Sequence, residues 1–569
     1  MMRFNSTILG VLLLAIGLLA PSLAAAGDVV LRRFNSGAGS DAVGMIDASE
    51  DTEVAGPQAI YAGEGNEVFL LDQVNGRVLS FDPRQPAGQT RSLKLPEALE
   101  PTDLVVKKGE IFVWDGSVHA LKPTGADDAP TRGLEEYQTR GIDDPFVVSA
   151  FSQMGSQQPG GESDVLNENT RSLQQQRGTA SKQHVNSRGR GPVVVGVVPD
   201  ADKAGALVEV QGQAGIIAKL QVKVRDRLGA LEFLDIDKQG RMFVLGENIP
   251  PVAGNSASAF VARYAPGGKL EGVYELPLSQ SIALSRRYVT VSETGDVYFL
   301  RTRQSSVDVL GVGFRPLRAK VIDTRGQSAP SDAPGWKPGK GPIAATLPLS
   351  RQRVVETAFG FEGVRWQLSQ AAYGRDPDSA CSGFNRIRRP SYLHGRLGQE
   401  VRGIPYCWGC HGALPQIRDK INRGMLAGNV CTRNAPRTDV TGVDCSAFVS
   451  AAWGLATHFT TAAIPAISRR LENPWDLQPG DALNKPGSHV MLFLRFTPDR
   501  KAEVMEASPG SCNGRVCRNI YPLASVLARG YAPVRYRALA NETVAKVSFP
   551  AEQQPNAPVK AKAQKRQTR

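Results

Sequence analysis

Apolar residues follow two different patterns along this chain, and the change falls near residue 350. From about Gly56 to Leu349 they come in short runs introduced by a glycine: Gly65-Asn-Glu-Val-Phe-Leu-Leu-Asp72, Gly109-Glu-Ile-Phe-Val-Trp-Asp115, Gly240-Arg-Met-Phe-Val-Leu245 and Gly295-Asp-Val-Tyr-Phe-Leu300. Several are followed by a second run, as in Arg77-Val-Leu-Ser-Phe-Asp82 and Phe260-Val-Ala-Arg-Tyr-Ala265. Runs of this length, rich in β-branched and aromatic residues and bounded by turn residues, predict strands. The steps from Gly65 to Gly109 and from Gly240 to Gly295, 44 and 55 residues, are close to the length of one four-stranded propeller blade, about 40–50 residues. From Val354 onward the pattern changes to helices mixed with short strands.

The longer step from Gly109 to Gly240 has room for two blades once a polar stretch is set aside. That stretch, 153–191, is rich in Gln, Ser, Asn, Gly and Arg and reads as a disordered insert without a core of its own. Residues 27–349 are therefore expected to form an all-β, propeller-like domain of five or six blades, similar to the irregular propellers built from NHL-like repeats. One or two β-sandwiches are the competing arrangement. The Pro- and Gly-rich residues 325–345 read as a linker, residues 350–540 as an α+β domain, and 541–569 as a basic disordered tail.

Composition narrows the class. A chain of 569 residues exceeds a single small module, and 58 Gly with 38 Pro favour a turn-rich β body over a helical bundle. The formal charge of +12 comes from scattered Lys and Arg without interleaved aromatics, so nucleic acid is not an expected partner. The first 26 residues look like an address: Arg3, an apolar run from Ile8 to Ala20 too short to span a membrane, then Pro21 and the small residues Ala24-Ala25-Ala26. A signal peptide (1–26) cut before Gly27 predicts a periplasmic or secreted protein with no lipid anchor and no membrane span.

The chemistry is concentrated in the last third, which holds all seven cysteines: 381, 407, 410, 431, 445, 512 and 517. Cys445 follows Asp444, a good helix N-cap, and opens a run of small and apolar residues, so it is expected in the first turn of a buried helix. There the positive end of the helix favours a thiolate. His489 stands ahead of Val490-Met-Leu-Phe-Leu494, and the run from Val504 to Ser508 would pair with it as a hairpin and aim Glu506 at the imidazole.

These pieces resemble the NlpC-type family of bacterial cell-wall cysteine peptidases, over about Gly403 to Arg537. The residues that carry the resemblance are Asp444-Cys445-Ser446-Ala447-Phe448, Pro479-Gly480-Asp481 with Gly487-Ser488-His489-Val490, and Pro405-Tyr406-Cys407-Trp408-Gly409-Cys410. It implies a papain-like fold, Cys445 as nucleophile, His489 as base and Glu506 in the third position. It also implies Tyr406, Asp444 and Ser446 beside substrate and oxyanion. Ala447, Cys410 and Glu506 depart from the family pattern. The implied activity is cleavage of an amide bond in murein stem peptides without a cofactor or metal, the propeller docking substrate or an envelope partner.

Two alternatives stand beside this one: a catalytically inactive envelope scaffold, and a c-type haem protein carrying its haem on Cys407-Trp408-Gly409-Cys410-His411. With Cys445 kept as a thiol, the other six cysteines suffice for three disulfides. Cys512 and Cys517 flank Asn513-Gly514 as a local loop closure, and Cys381 bridges to a downstream partner.

Overall fold

The glycines that introduce the apolar runs are there for their backbone. Gly65, Gly109, Gly240 and Gly295 have φ of 67°, 77°, 77° and 82°, a region costly for residues with a Cβ. Each ends the turn before the second strand of an antiparallel meander: Val68–Asp72, Glu110–Trp114, Met242–Asn248 and Val297–Thr302. The computed structural model describes residues 27–540 except 48–51, 86–87, 98, 126–130, 138–146, 148, 152–180, 188–190, 252–256, 318, 325–348, 375–388 and 430–438. The expected signal peptide, linker and basic tail lie outside the described residues, as do Cys381 and Cys431.

Five meanders make a propeller-like body, and the described chain is mostly β with few helices. Their first strands touch in sequence: Ala59–Ala62 meets both Asp103–Lys107 and Val289–Val291, and Leu228–Ile236 meets both Ser181–Ser187 and Val289–Val291. The last blade has three strands of its own. Its fourth is Val29–Ser36 from the other end of the chain, antiparallel to Ser306–Gly311 with Val29 opposite Gly311. The first two blades are joined edge to edge by parallel pairing of Arg91–Lys94 with Thr131–Glu136, giving one eight-stranded sheet.

The expected disordered insert, 153–191, is too long at its C-terminal end. Ser181–Ser187 is a strand and pairs antiparallel with Gly191–Pro199, from Ser181 opposite Val197 to Ser187 opposite Gly191. Gly191 has φ of 73° and opens the second strand of its blade, as the other four glycines do. Val185 is buried in one core with Val193 and Val195 of the Val-rich partner strand, which ties Ser181–Ser187 to the blade.

Beyond Leu349 helices pack on a six-stranded antiparallel sheet ordered Ser468–Arg470, Ala532–Tyr536, Ala482–Lys485, His489–Phe496, Ala502–Ser508, Arg515–Tyr521. The ends of this unit are clasped, since the Leu349 N–H donates to Ala538 O at 2.7 Å and the Ala540 N–H to Leu349 O at 2.9 Å. Helix Arg351–Gly363 packs on helix Cys445–Ala452, with the Phe361 and Phe448 rings edge to face at 5.5 Å. Among the described residues no helix is long and apolar enough to cross a membrane.

The sheet is buried on both faces. Val490, Leu492 and Leu494 pack in the core around the cysteine helix, whereas Met491 and Phe493 join a core shared with the propeller residues Phe243 and Phe299. Hydrogen bonds add to this junction, among them Ala524 N–H to Glu247 Oε1 at 2.9 Å and Arg529 Nε to Ala283 O at 2.7 Å.

Asp481 anchors the fold. Fully buried, it accepts from Arg351 Nη1 at 3.0 Å and from Arg535 Nε and Nη2 at 2.9 and 2.7 Å. Asp481→Ala leaves two buried guanidinium groups without their counter-charge and is expected to cost about 3–5 kcal/mol. A urea titration reads this as a lowered midpoint with an unchanged slope.

Candidate functional site

Cys445 is the first residue of helix Cys445–Ala452, and Asp444 caps it by accepting from the Ala447 N–H at 2.7 Å. The same Asp444 carboxylate accepts the Ser446 hydroxyl at 2.9 Å and the Gly409 N–H at 3.1 Å. Ser446 Oγ also lies 2.7 Å from His458 Nε2. Asp444 and Ser446 are thus engaged with one another and with His458, locking the start of the helix. The Cys445 thiol is buried and outside any disulfide.

His489 begins strand His489–Phe496, and the hairpin with Ala502–Ser508 forms. Its register sets Val504 opposite Phe493 and Met505 opposite Leu492, so Glu506 has the same facing as His489. Nε2–H of His489 donates to Glu506 Oε2 at 2.6 Å. The other nitrogen, Nδ1, is buried and makes no hydrogen bond among the described residues, and the Cys445 sulfur lies near enough to the ring to raise its pKa. Burial by itself would depress the imidazole pKa. The Glu53 carboxylate, the Cys445 sulfur and Glu506 outweigh it and hold His489 well above the ordinary value of 6.5.

Glu506 has further partners that sequence reasoning missed. Its Oε1 accepts from Asn519 Nδ2 at 2.7 Å and from the Tyr521 hydroxyl at 2.8 Å. Burial favours the neutral acid, but the bonds from His489, Asn519 and Tyr521 keep the carboxyl below its usual pKa. Asn519 and Tyr521 follow Cys517, the residue opposite Glu506, at alternate positions of the next strand, so the period of two carried their signal.

Tyr406 is brought beside the cysteine helix by a parallel bridge to Val443. Its hydroxyl lies 3.1 Å from Thr52 Oγ1, a residue of the propeller region. The neighbouring Glu53 enters the same site: its Oε1 accepts from the Ser508 hydroxyl and from Ser511 Oγ at 3.0 Å, and its Oε2 lies 3.7 Å from His489 Nε2. Burial pushes the Glu53 carboxyl up, against the pull of His489. Donor atoms of Glu53, His489 and Glu506 all lie within 4.8 Å of one another, close enough to share a metal ion. The protein's own donors already engage both carboxylates.

Cys407 and Cys410, the sulfurs that haem attachment would need, are bonded to each other, and His411 is stacked on His458 at 5.5 Å. Cys512 and Cys517 close the local loop.

No protein-family model matches this chain, and no curated protein matches it. Solved structures similar to it include a streptogramin B lyase, 14% identical with a TM-score of 0.17 over 50% of this chain and 72% of that one. Hydrazine synthase from Kuenenia stuttgartiensis is 11% identical with a TM-score of 0.22, over 45% and 78% of the two chains. Virginiamycin B lyase from Staphylococcus aureus is 8% identical with a TM-score of 0.20, over 47% and 98%. Superpositions this loose leave the fold to rest on the strand connections described above.

Proposed function

We propose that this protein is an exported cysteine hydrolase that cleaves an amide bond in murein stem peptides. In this reading its C-terminal unit is a papain-like domain similar to the NlpC-type peptidases, and its propeller docks the substrate or an envelope partner. One arrangement carries the reading: a buried thiol at a helix start in the same core as a buried imidazole that a carboxylate holds at 2.6 Å, the sulfur adding to the charge that raises the ring's pKa.

The chemistry follows from that arrangement. The Cys445 thiolate attacks the carbonyl carbon of the scissile amide, and the first-turn N–H groups of its helix stabilise the negative charge that develops on oxygen. The His489 imidazolium gives its proton to the departing amine, leaving an acyl-thioester. Neutral His489 then takes a proton from water, whose oxygen displaces the Cys445 sulfur and frees the acid. Glu506 keeps Nε2 protonated and the ring aimed throughout, a positioning role. Disulfides support an oxidising compartment, the periplasm or the outside of the cell.

A second reading, an inactive scaffold, is favoured by one observation: Cys445, His489, Glu506 and Tyr406 are all 0% exposed. Digestion of purified stem peptides, with products weighed by mass spectrometry, separates the two. The hydrolase reading expects a new amine and acid, lost in Cys445→Ala and unaffected by EDTA. Loss of cleavage on chelation, with Cys445→Ala still active, would place the chemistry on a metal held by Glu53, His489 and Glu506 instead.

A further inference from the structure

The site just described is closed, and part of what closes it is a segment from the other end of the chain. Thr52 and Glu53 belong to the propeller end of the chain, more than four hundred residues from His489. Yet Thr52 contacts the Tyr406 hydroxyl, and Glu53 is held by Ser508, by the Ser511 hydroxyl at 3.0 Å and by the Ser511 N–H at 3.4 Å. Two residues on, Ala55 lies against Gly510 so closely that a Cβ there would sit 2.8 Å from the alanine's own. The backbone of Ala55 is tied to Ile46 by a pair of hydrogen bonds at 2.8 and 3.1 Å, which fixes where the segment leaves the propeller.

We propose that Thr52–Glu53 is an autoinhibitory plug: with Thr52 on the Tyr406 hydroxyl and Glu53 beside the His489 ring it helps close the site over, so the folded chain is latent until the segment withdraws. The proposal rests on the cysteine-hydrolase reading.

Glu53 is poorly suited to be a second orienting group. Glu506 already takes the Nε2 proton at 2.6 Å, while Glu53 stands at 3.7 Å from the same nitrogen. Two buried carboxylates facing one imidazolium repel each other, and burying the second costs more than the shared cation returns. The plug therefore sits in a place its own charge makes releasable. Its grip comes from hydroxyl and N–H donors that suit a carboxylate and would be satisfied by water once it leaves. Withdrawal opens the side of the site that carries the Tyr406 hydroxyl and the His489 ring.

The test is alkylation of Cys445 by iodoacetamide in the full-length protein without reductant, read peptide by peptide in the mass spectrometer, with stem-peptide hydrolysis measured in parallel. The variants are Thr52→Ala/Glu53→Ala and the isosteric Glu53→Gln, each checked for an unchanged urea midpoint. If the open state is a minor one of about 1–10%, freeing the plug speeds labelling and hydrolysis by about 10–100-fold. Should the double variant fold poorly, Glu53→Gln decides alone. Labelling within about twofold of wild type in the folded variants overturns the plug, as does hydrolysis that falls in Glu53→Gln, the mark of a positioning residue. Faster labelling with no hydrolysis by any form keeps the plug and removes the hydrolase reading. Fast Cys445-dependent hydrolysis by the wild type, unchanged in the variants, does the reverse.

Discussion

Cys445→Ala is expected to lower kcat/KM for stem-peptide hydrolysis by on the order of 10⁴-fold or more, both in the wild-type chain and in the plug variant. The size of the effect follows from the loss of a step. Without the sulfur no thioester forms, and water would have to attack the amide directly with only the helix start and bound geometry to help. Alanine fits a helix first turn well and makes no demand on the neighbouring packing. The fold should persist, so a loss of activity with an unchanged urea midpoint isolates the chemistry from stability.

Glu506→Gln is the second large effect, expected at about 10–100-fold in kcat. The substitution keeps shape but removes the charge that His489 meets at 2.6 Å, and it turns an amide N–H₂ toward either the imidazole or the donors of Asn519 and Tyr521. The pH profile carries the more diagnostic sign. His489 is held above 6.5 partly by Glu506, so the imidazolium outlasts neutral pH in the native site. Removing a negative partner lowers that pKa, and the alkaline limb of the rate profile moves to lower pH. A drop in rate without that displacement would mean that Glu506 acts on packing alone.

What the sequence disclosed depended on how local each feature is. The glycine repeats at 65, 109, 240 and 295 were legible because a positive-φ turn and the strand after it are both written within eight residues. The same device at Gly191 escaped, because its blade starts with Ser181–Ser187, whose polar sequence looks like the insert before it. Only pairing with a Val-rich neighbour makes it a strand, and pairing is not a local property. The cysteine helix and the histidine strand were readable from a cap and an apolar run. Their union with Glu506 needed the hairpin, and the bulge between Phe493 and Arg495 sets a register that no turn motif announces.

Glu53 and Thr52 had no signal at all. They reach the site because the sheet carrying His489 is buried on both faces, with Met491 and Phe493 packed toward the propeller. A reading that treats the two halves as tethered modules cannot foresee a residue of one inside the other's site. The separation into a docking domain and an enzyme domain is therefore too simple for this junction, which shares one apolar core and several hydrogen bonds.

The central claim is that Cys445 is a nucleophile, and acid quenching tests it most directly. The Thr52→Ala/Glu53→Ala chain is mixed with excess stem peptide, stopped in acid during turnover, and the peptide containing Cys445 is weighed. An added mass equal to the acyl half of the substrate is expected on Cys445, absent from the same chain carrying Cys445→Ala. Release of the amine with Cys445 unmodified at every quench time, and turnover that survives Cys445→Ala, would contradict it.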